Sequence, residues 1–233
     1  MARFKAVLFD LGGTLVEYYK SSEFQDILER AMNDIQQLLF DKMATTYEHD
    51  DFWKRVEEEN RESGDFRVRP MEDRIVNIFQ LQDFAKENAF ITKLCSIFMK
   101  YIFEKSNVYP DTVPMLQEIK KLGVKTGLVS NTPWGSPAIL WREELGRLGI
   151  LKYFDITVFC RDVGWRKPAS QVFTRALSML KLDAKDCLFV GDDPRWDVSG
   201  PRAIGMDAVL INRSGGGHGS STISSLQDLL KML

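Results

Sequence analysis

Cysteine is scarce in this chain. The three present, Cys95, Cys160 and Cys187, are far apart and odd in number, with no Cys-x-x-Cys pair. That argues against a disulfide framework and matches the usage of a reducing compartment, so the expected location is the cytoplasm. Cys160 and Cys187 sit at or beside apolar runs, where a thiol packs as a small hydrophobe. Long hydrophobic runs are missing too. None approaches the roughly 18 apolar residues of a membrane span, and the run near the N-terminus, "AVLF", is too short for a secretory signal. Charge of either sign is not in excess: 31 basic and 33 acidic residues leave a net of −2. No basic patch points to nucleic acid, and there is no acidic tail. The glycine-rich stretch "RSGGGHGSS" (213–221) lacks the lysine and Ser/Thr spacing of a phosphate-binding P-loop and is expected to be a flexible loop.

What the chain does have is length and a repeating rhythm. Its 233 residues suit one large domain, or a core with one insertion, and can bury enough apolar surface to fold without disulfide or metal. Short apolar runs recur: "KAVLFD" (5–10), "VKTGLVSN" (124–131), "DITVFC" (155–160), "DCLFVGDD" (186–193) and "DAVLIN" (207–212). Their near-continuous hydrophobicity fits strands buried on both faces, as in a parallel sheet. Helix-period stretches lie between them. In 112–123, Val113, Leu116, Ile119 and Leu122 share a face that Gly123 ends; 168–182 opens on Pro168; 195–206 is shorter; 222–233 reads as a last amphipathic helix. Alternating strand and helix predicts an α/β fold with a parallel sheet covered on both sides.

Residues 16–107 break the rhythm. The stretches 21–44, 50–63, 71–87 and 91–105 read as helices with no strand pattern between them. The organisation expected is a core of 1–15 and 108–233 with an all-helical insertion at 16–107. Phe24, Phe40, Phe52, Trp53, Phe79, Phe84 and Phe103 are expected to pack inside that insertion.

Chemistry-bearing residues gather at strand ends. Asp10 closes the first strand, Ser130 and Asn131 the second; Lys167 follows the third in "GWRKP"; Asp192, Asp193 and Asp197 follow the fourth in "GDDPRWD". Each alone has an ordinary reading as a turn former, helix cap or surface lysine. Together they fall at the carboxyl edge of a parallel sheet, where ligands bind in open α/β folds. Trp134, on the loop after "LVSN", is a candidate neighbour of that site, as are Trp165 and Trp196; simple packing is the alternative.

"FDLGGTL", "LVSNT", "GWRKP" and "FVGDDPRWD" resemble, in order, the four motifs of the haloacid dehalogenase-like (HAD) superfamily, and "GPRAIGMDAVLIN" resembles the run that follows the fourth. The resemblance implies a Rossmann-like three-layer α/β core, with the inserted helices as a cap domain. It implies a phosphatase acting on a small phosphorylated metabolite. Asp10 would be the nucleophile that forms an aspartyl-phosphate. Mg²⁺ would be held by Asp10, the main-chain carbonyl of Gly12 and Asp192, with Asp193 or Asp197 binding metal waters or orienting Lys167. Ser130, Asn131 and the loop N–H groups around Gly13 would bind phosphoryl oxygens, and Lys167 would neutralise their charge.

One position departs from the pattern. Phosphatases of this family commonly carry a second aspartate two residues after the nucleophile, as general acid and base. Here that position is Gly12. Three outcomes follow: the substrate has a good leaving group, another acid such as Glu17, Asp50 or Glu72 substitutes, or the enzyme is slow. Two other readings stand beside the phosphatase: a metal-independent 2-haloacid dehalogenase, and a HAD-fold binding protein with weak or no turnover. The acid cluster weighs against the first, since it would repel a carboxylate substrate. The expected partners are a small phosphorylated substrate, with no nucleic acid or membrane, in a monomer or homodimer.

Overall fold

A strand with no polar face must be covered on both sides, and the apolar runs meet that requirement as the middle layer of the fold. The structure, a computed structural model, describes residues 3–61, 64–213 and 222–233; residues 214–221 of the glycine-rich stretch lie outside them. In chain order the main elements are β1 (Ala6–Phe9), β2 (Val16–Glu17), α1 (Phe24–Met43), α2 (His49–Asn60), α3 (Met71–Ile78), α4 (Asn88–Phe103), β3 (Asn107–Val108), α5 (Thr112–Lys121), β4 (Lys125–Ser130) and α6 (Ala138–Arg147). They continue with β5 (Ile156–Phe159), α7 (Cys160–Val163), α8 (Ser170–Leu180), β6 (Cys187–Gly191), a π-helical turn Pro194–Ser199 leading into α9 (Gly200–Ala203), β7 (Asp207–Ile211), β8 (Thr222–Ile223) and a 3-10 helix Leu226–Lys231.

The sheet has the order β5-β4-β1-β6-β7-β8 and is parallel at every pairing. Every residue of β1 and β6 is buried. Side chains alternate between the two faces. Ala6 and Leu8 pack with Val172 and Phe173 of α8, whereas Val7 and Phe9 join Met115, Leu116 and Ile119 of α5. The chain leaves β1 to one side for β4 and β5, then returns to its other side for β6 and β7. The switch point therefore lies at the carboxyl end of β1, directly before Asp10. Register aligns the edge: Phe9 stands opposite Leu128 and Val190, so Asp10, Ser130 and Asp192 emerge at nearly the same level.

The helices α1–α4 leave and rejoin the chain through a short antiparallel ribbon, in which Val16 faces Val108 and Glu17 faces Asn107. No periodicity betrays strands this short. One apolar cluster runs from these helices into the β1 face carrying Val7 and Phe9, so the two blocks share packing. Phe52 and Phe79 are buried as expected, but Phe40 is not; it is 51% exposed near the end of α1, off the face that buries Ile35 and Leu39.

Other expectations need correction. Leu122 is exposed, because α5 ends at Lys121 and its buried face is completed by Thr112 and Met115. The segment 222–233 is not one helix: Thr222–Ile223 extends the sheet beside β7, and only then does the 3-10 helix begin, capped by Ser225. The third inserted helix stops at Ile78, and only a short 3-10 turn, Gln82–Phe84, follows. α6 has no counterpart among the periodic stretches. Its buried face interposes Glu144 among Leu140, Trp141 and Leu145, and that acid spoils the apolar pattern; in the fold Arg147 and Ser106 bond its carboxylate.

Candidate active site

A buried ammonium is tolerated only beside negative charge, and Lys167 has two carboxylates. Lys167 and Asp197 are 2% and 1% exposed. The Lys167 Nζ lies 2.5 Å from Asp10 Oδ1 and 2.6 Å from Asp197 Oδ1. Burial alone would lower the lysine's pKa, but the two carboxylates outweigh it and hold it above its ordinary value. Asp197 is brought this close by Gly191, where an added Cβ would stand 2.3 Å from the Asp197 Cβ. The second Asp197 oxygen accepts from the Asp193 N–H at 3.1 Å, so both its oxygens are engaged.

Asp192 is exposed as a residue at the edge of the cavity, but its carboxyl is gathered in with those of Asp10 and Asp197. Carboxylate oxygens of Asp10, Asp192 and Asp197 lie within 4.8 Å of one another. Restricted hydration of the Asp192 carboxyl, then the charges of Asp10 and Asp197, push it up to about 7. Burial likewise raises Asp197 to about 6, against the pull of Lys167. The donor set is all hard oxygen, with more negative charge than one lysine neutralises. Such a set suits a hard divalent cation rather than a soft one.

The remaining predicted residues divide. Ser130 is buried at the end of β4, lines the cavity, and points its hydroxyl at the Asn131 carbonyl, 3.1 Å away. The side chain of Asn131 is spent on the main chain of Lys167: Oδ1 accepts from its N–H at 2.8 Å and Nδ2 donates to its C=O at 3.3 Å. Asp193 caps the π-helical turn, one oxygen accepting from the N–H groups of Arg195 and Trp196, each at 2.8 Å. Gly13 has φ +74°, and a Cβ there would meet Asp192 Oδ2 at 2.3 Å. Its N–H donates to the Val16 carbonyl at 2.9 Å, which closes the turn after β1. The N–H groups of Leu11 and Gly12, both at the cavity, donate to no acceptor among the described residues.

The cavity above the carboxylates has a volume of about 330 Å³. Tyr18, Tyr19, Trp141 and Trp196 form much of its wall, with Pro133 and Ser21. Of these only Trp196 was legible beforehand. Tyr18 and Tyr19 enter through the ribbon that begins at β2, and Trp141 rides on α6. The adjacency of the tyrosine pair to the first motif was the one available signal. Trp134 does not line the cavity: it is buried, stacks on Phe98 of α4 with ring centroids 5.0 Å apart, and donates to Asn60 Oδ1 at 2.8 Å. Trp165 packs under the Arg67 guanidinium instead. Neither Glu17, Asp50 nor Glu72 lines the cavity; Glu72 is paired with Arg161 at 2.8 Å. Arg213 anchors the loop from behind, bonding the Thr14 carbonyl and Asp111.

The family model for haloacid dehalogenase-like hydrolases matches residues 4–205. Glyceraldehyde 3-phosphate phosphatase of Methanopyrus kandleri is 27% identical over 209 residues, spanning 90% of this chain and 84% of that protein. Ribulose-1,5-bisphosphate 5-phosphatase of Halopiger xanaduensis is 27% identical over 216 residues, spanning 90% and 85%. Among solved structures, a HAD phosphatase from Thermococcus onnurineus aligns over 98% of this chain and 97% of that chain, with a TM-score of 0.62 and 28% identity.

Proposed function

The chain belongs to the haloacid dehalogenase-like hydrolases and is a phosphoric monoester hydrolase, and from that premise we propose that it is Mg²⁺-dependent and works through an aspartyl-phosphate on Asp10. The observation that carries this reading is a cluster of three carboxylates at the switch point of the sheet, two of them bonded to one buried ammonium.

In the proposed first step an Asp10 carboxylate oxygen forms a bond to phosphorus, and the bond from phosphorus to the leaving oxygen breaks. Water then cleaves the acyl phosphate and frees Asp10. Lys167, bonded to Asp10 Oδ1, fixes the rotation of the nucleophile and offsets charge on the phosphoryl group. The Ser130 hydroxyl and the N–H groups of Leu11 and Gly12 are the donors placed to hold phosphoryl oxygens. Asn131 and Asp197 act through Lys167, one on its main chain and one on its ammonium. A bound Mg²⁺ would supply positive charge between an anionic nucleophile and a dianionic ester. Asp10, Asp192 and the Gly12 carbonyl would hold it, and Asp193 and Asp197 would act on its waters or keep the loop in place.

Gly12 offers no proton. Glu17, Asp50 and Glu72 do not line the cavity, which favours a substrate whose leaving group needs little protonation, or slow turnover. We further propose that residues 16–107 act as the cap over a core of 1–15 and 108–233. The Trp134–Phe98 stack and the Trp134–Asn60 hydrogen bond support it, because both join the motif-two loop to inserted helices. Among the described residues no helix is long and apolar enough to cross a membrane.

Phosphate release from p-nitrophenyl phosphate and acetyl phosphate, assayed with Mg²⁺ and with EDTA, tests the reading. Metal-dependent release that disappears in Asp10→Asn is expected. Halide release from 2-chloropropionate in EDTA would replace the phosphatase with a dehalogenase. No turnover, combined with Mg²⁺-dependent stabilisation by phosphate, would leave a binding protein.

A further inference from the structure

The cavity wall holds a single cation, and that cation is already engaged. Lys167 is the only lysine or arginine lining the cavity among the described residues, and its ammonium is shared between Asp10 and Asp197. Nearby basic residues do not add to it. Arg166 lies 5.9 Å from the Trp196 ring and does not line the cavity. Arg147 is bonded to Glu144 and Ser106. Lys20 falls between Tyr19 and Ser21 in sequence, but it is exposed and is not part of the wall. Residues 1–2, 62–63 and 214–221 contain neither lysine nor arginine.

The rest of the wall is neutral or acidic. Tyr18, Tyr19, Trp141 and Trp196 line the cavity, and Tyr18 meets Trp141 edge-on with centroids 5.5 Å apart. Asp192 and Asp193 border the same space. A carboxylate or second phosphate on the leaving group would lose water there without gaining a countercharge, and would face carboxylates already in excess. Such an arrangement rejects the charged ligand more strongly than it favours the neutral one. A neutral leaving group has an apolar, partly aromatic surface to pack against.

Resting on the phosphatase reading above, we propose that the substrate is a small monophosphate ester whose leaving group carries no second anionic group, and that the aromatic wall packs against that neutral part. Sugar bisphosphates and phosphorylated carboxylic acids are then poor substrates.

The test uses two phosphate esters on one three-carbon frame, glycerol 3-phosphate and 3-phosphoglycerate, which differ in an alcohol against a carboxylate. The expected result is a kcat/KM at least tenfold higher for glycerol 3-phosphate. Equal values, or a preference for 3-phosphoglycerate, overturn the proposal. If p-nitrophenyl phosphate is cleaved but neither ester is, their inhibition constants against it decide in the same sense, with tighter binding expected for glycerol 3-phosphate. A variant checks the cause. Ser21→Arg places a cation at an exposed position on the rim. It should narrow the gap between the two esters through a lower KM for 3-phosphoglycerate; an unchanged gap would show that missing positive charge is not what discriminates. If the folded protein cleaves no phosphate ester at all, the phosphatase reading itself fails, and the proposal goes with it.

Discussion

The Asn131 carboxamide holds the main chain of Lys167 at both its N–H and its C=O, at 2.8 and 3.3 Å. A side chain at the end of β4 thereby fixes the backbone of a loop that follows β5, and with it the reach of the ammonium to Asp10. Asn131→Ala should lower kcat by about 10- to 100-fold, the scale of a small misplacement of a catalytic group, while KM changes much less. Steady-state kinetics beside a melting curve separates this from unfolding. A KM effect with unchanged kcat would return Asn131 to direct substrate binding.

Lys167→Gln removes the one cation between two buried carboxylates. Breaking a buried pair from one side costs about 3–5 kcal/mol. The loss should be largest at pH 8 and smaller at pH 5, where Asp197, raised to about 6 by burial, can take up a proton instead of remaining charged. Urea denaturation at the two pH values measures it, and an equal loss at both would contradict the pairing as described.

The metal-free protein should lose stability as pH rises from about 4 to about 7. Asp192 and Asp197 are raised from 3.8 to about 7 and about 6, so the folded state binds more protons than the unfolded state across that window. Stability then falls with rising pH there, and the loss is complete above the raised values. Mg²⁺ competes with those protons. The rise in Tm on adding Mg²⁺ to EDTA-treated protein should therefore be larger at pH 8 than at pH 5. A rise that is greater at pH 5 would argue against these carboxylates as the metal site.

Gly12→Asp restores an acid where the family commonly has one. A Cβ at Gly12 would meet only the Tyr18 Cδ2, at 3.7 Å, an ordinary contact. General acid help is worth ~10²–10⁴-fold in rate, so turnover of alkyl phosphates should rise by tenfold or more. Turnover of p-nitrophenyl phosphate, whose leaving group needs little protonation, should rise less. The ratio of the two rates is the readout; a ratio no different from the parent's, with fold and metal affinity intact, refutes the missing-acid account.

Much of the architecture was readable from local pattern. The apolar runs ending at Phe9, Ser130, Phe159, Gly191 and Ile211 are strands, since each is short, bounded by polar or glycine residues, and hydrophobic on both faces. Elements that break their own pattern were not readable. α6 hides Glu144 in its buried face, β2 and β3 are too short to show alternation, and Leu122 fits the helical period of α5 but falls beyond its end. The expectation for 222–233 failed because pairing with β7 outweighs the amphipathic period over its first residues.

Sequence alone determined that a parallel sheet would form and that Asp10, Ser130, Lys167 and the "GDDPRWD" acids would stand along one of its edges. Hydrophobic period and strand ends are local properties, and they carry that information. The duties within the edge were settled by tertiary structure. Asp193 and Asp197 belong to one motif, yet the π-helical turn gives the first a capping bond, while the close approach at Gly191 aims the second at Lys167. The aromatic wall joins Tyr18 to Trp141, residues distant in the chain that meet only when the ribbon and α6 pack over the sheet. No local pattern encodes such a meeting, because it depends on how separate elements are docked rather than on what any one of them prefers.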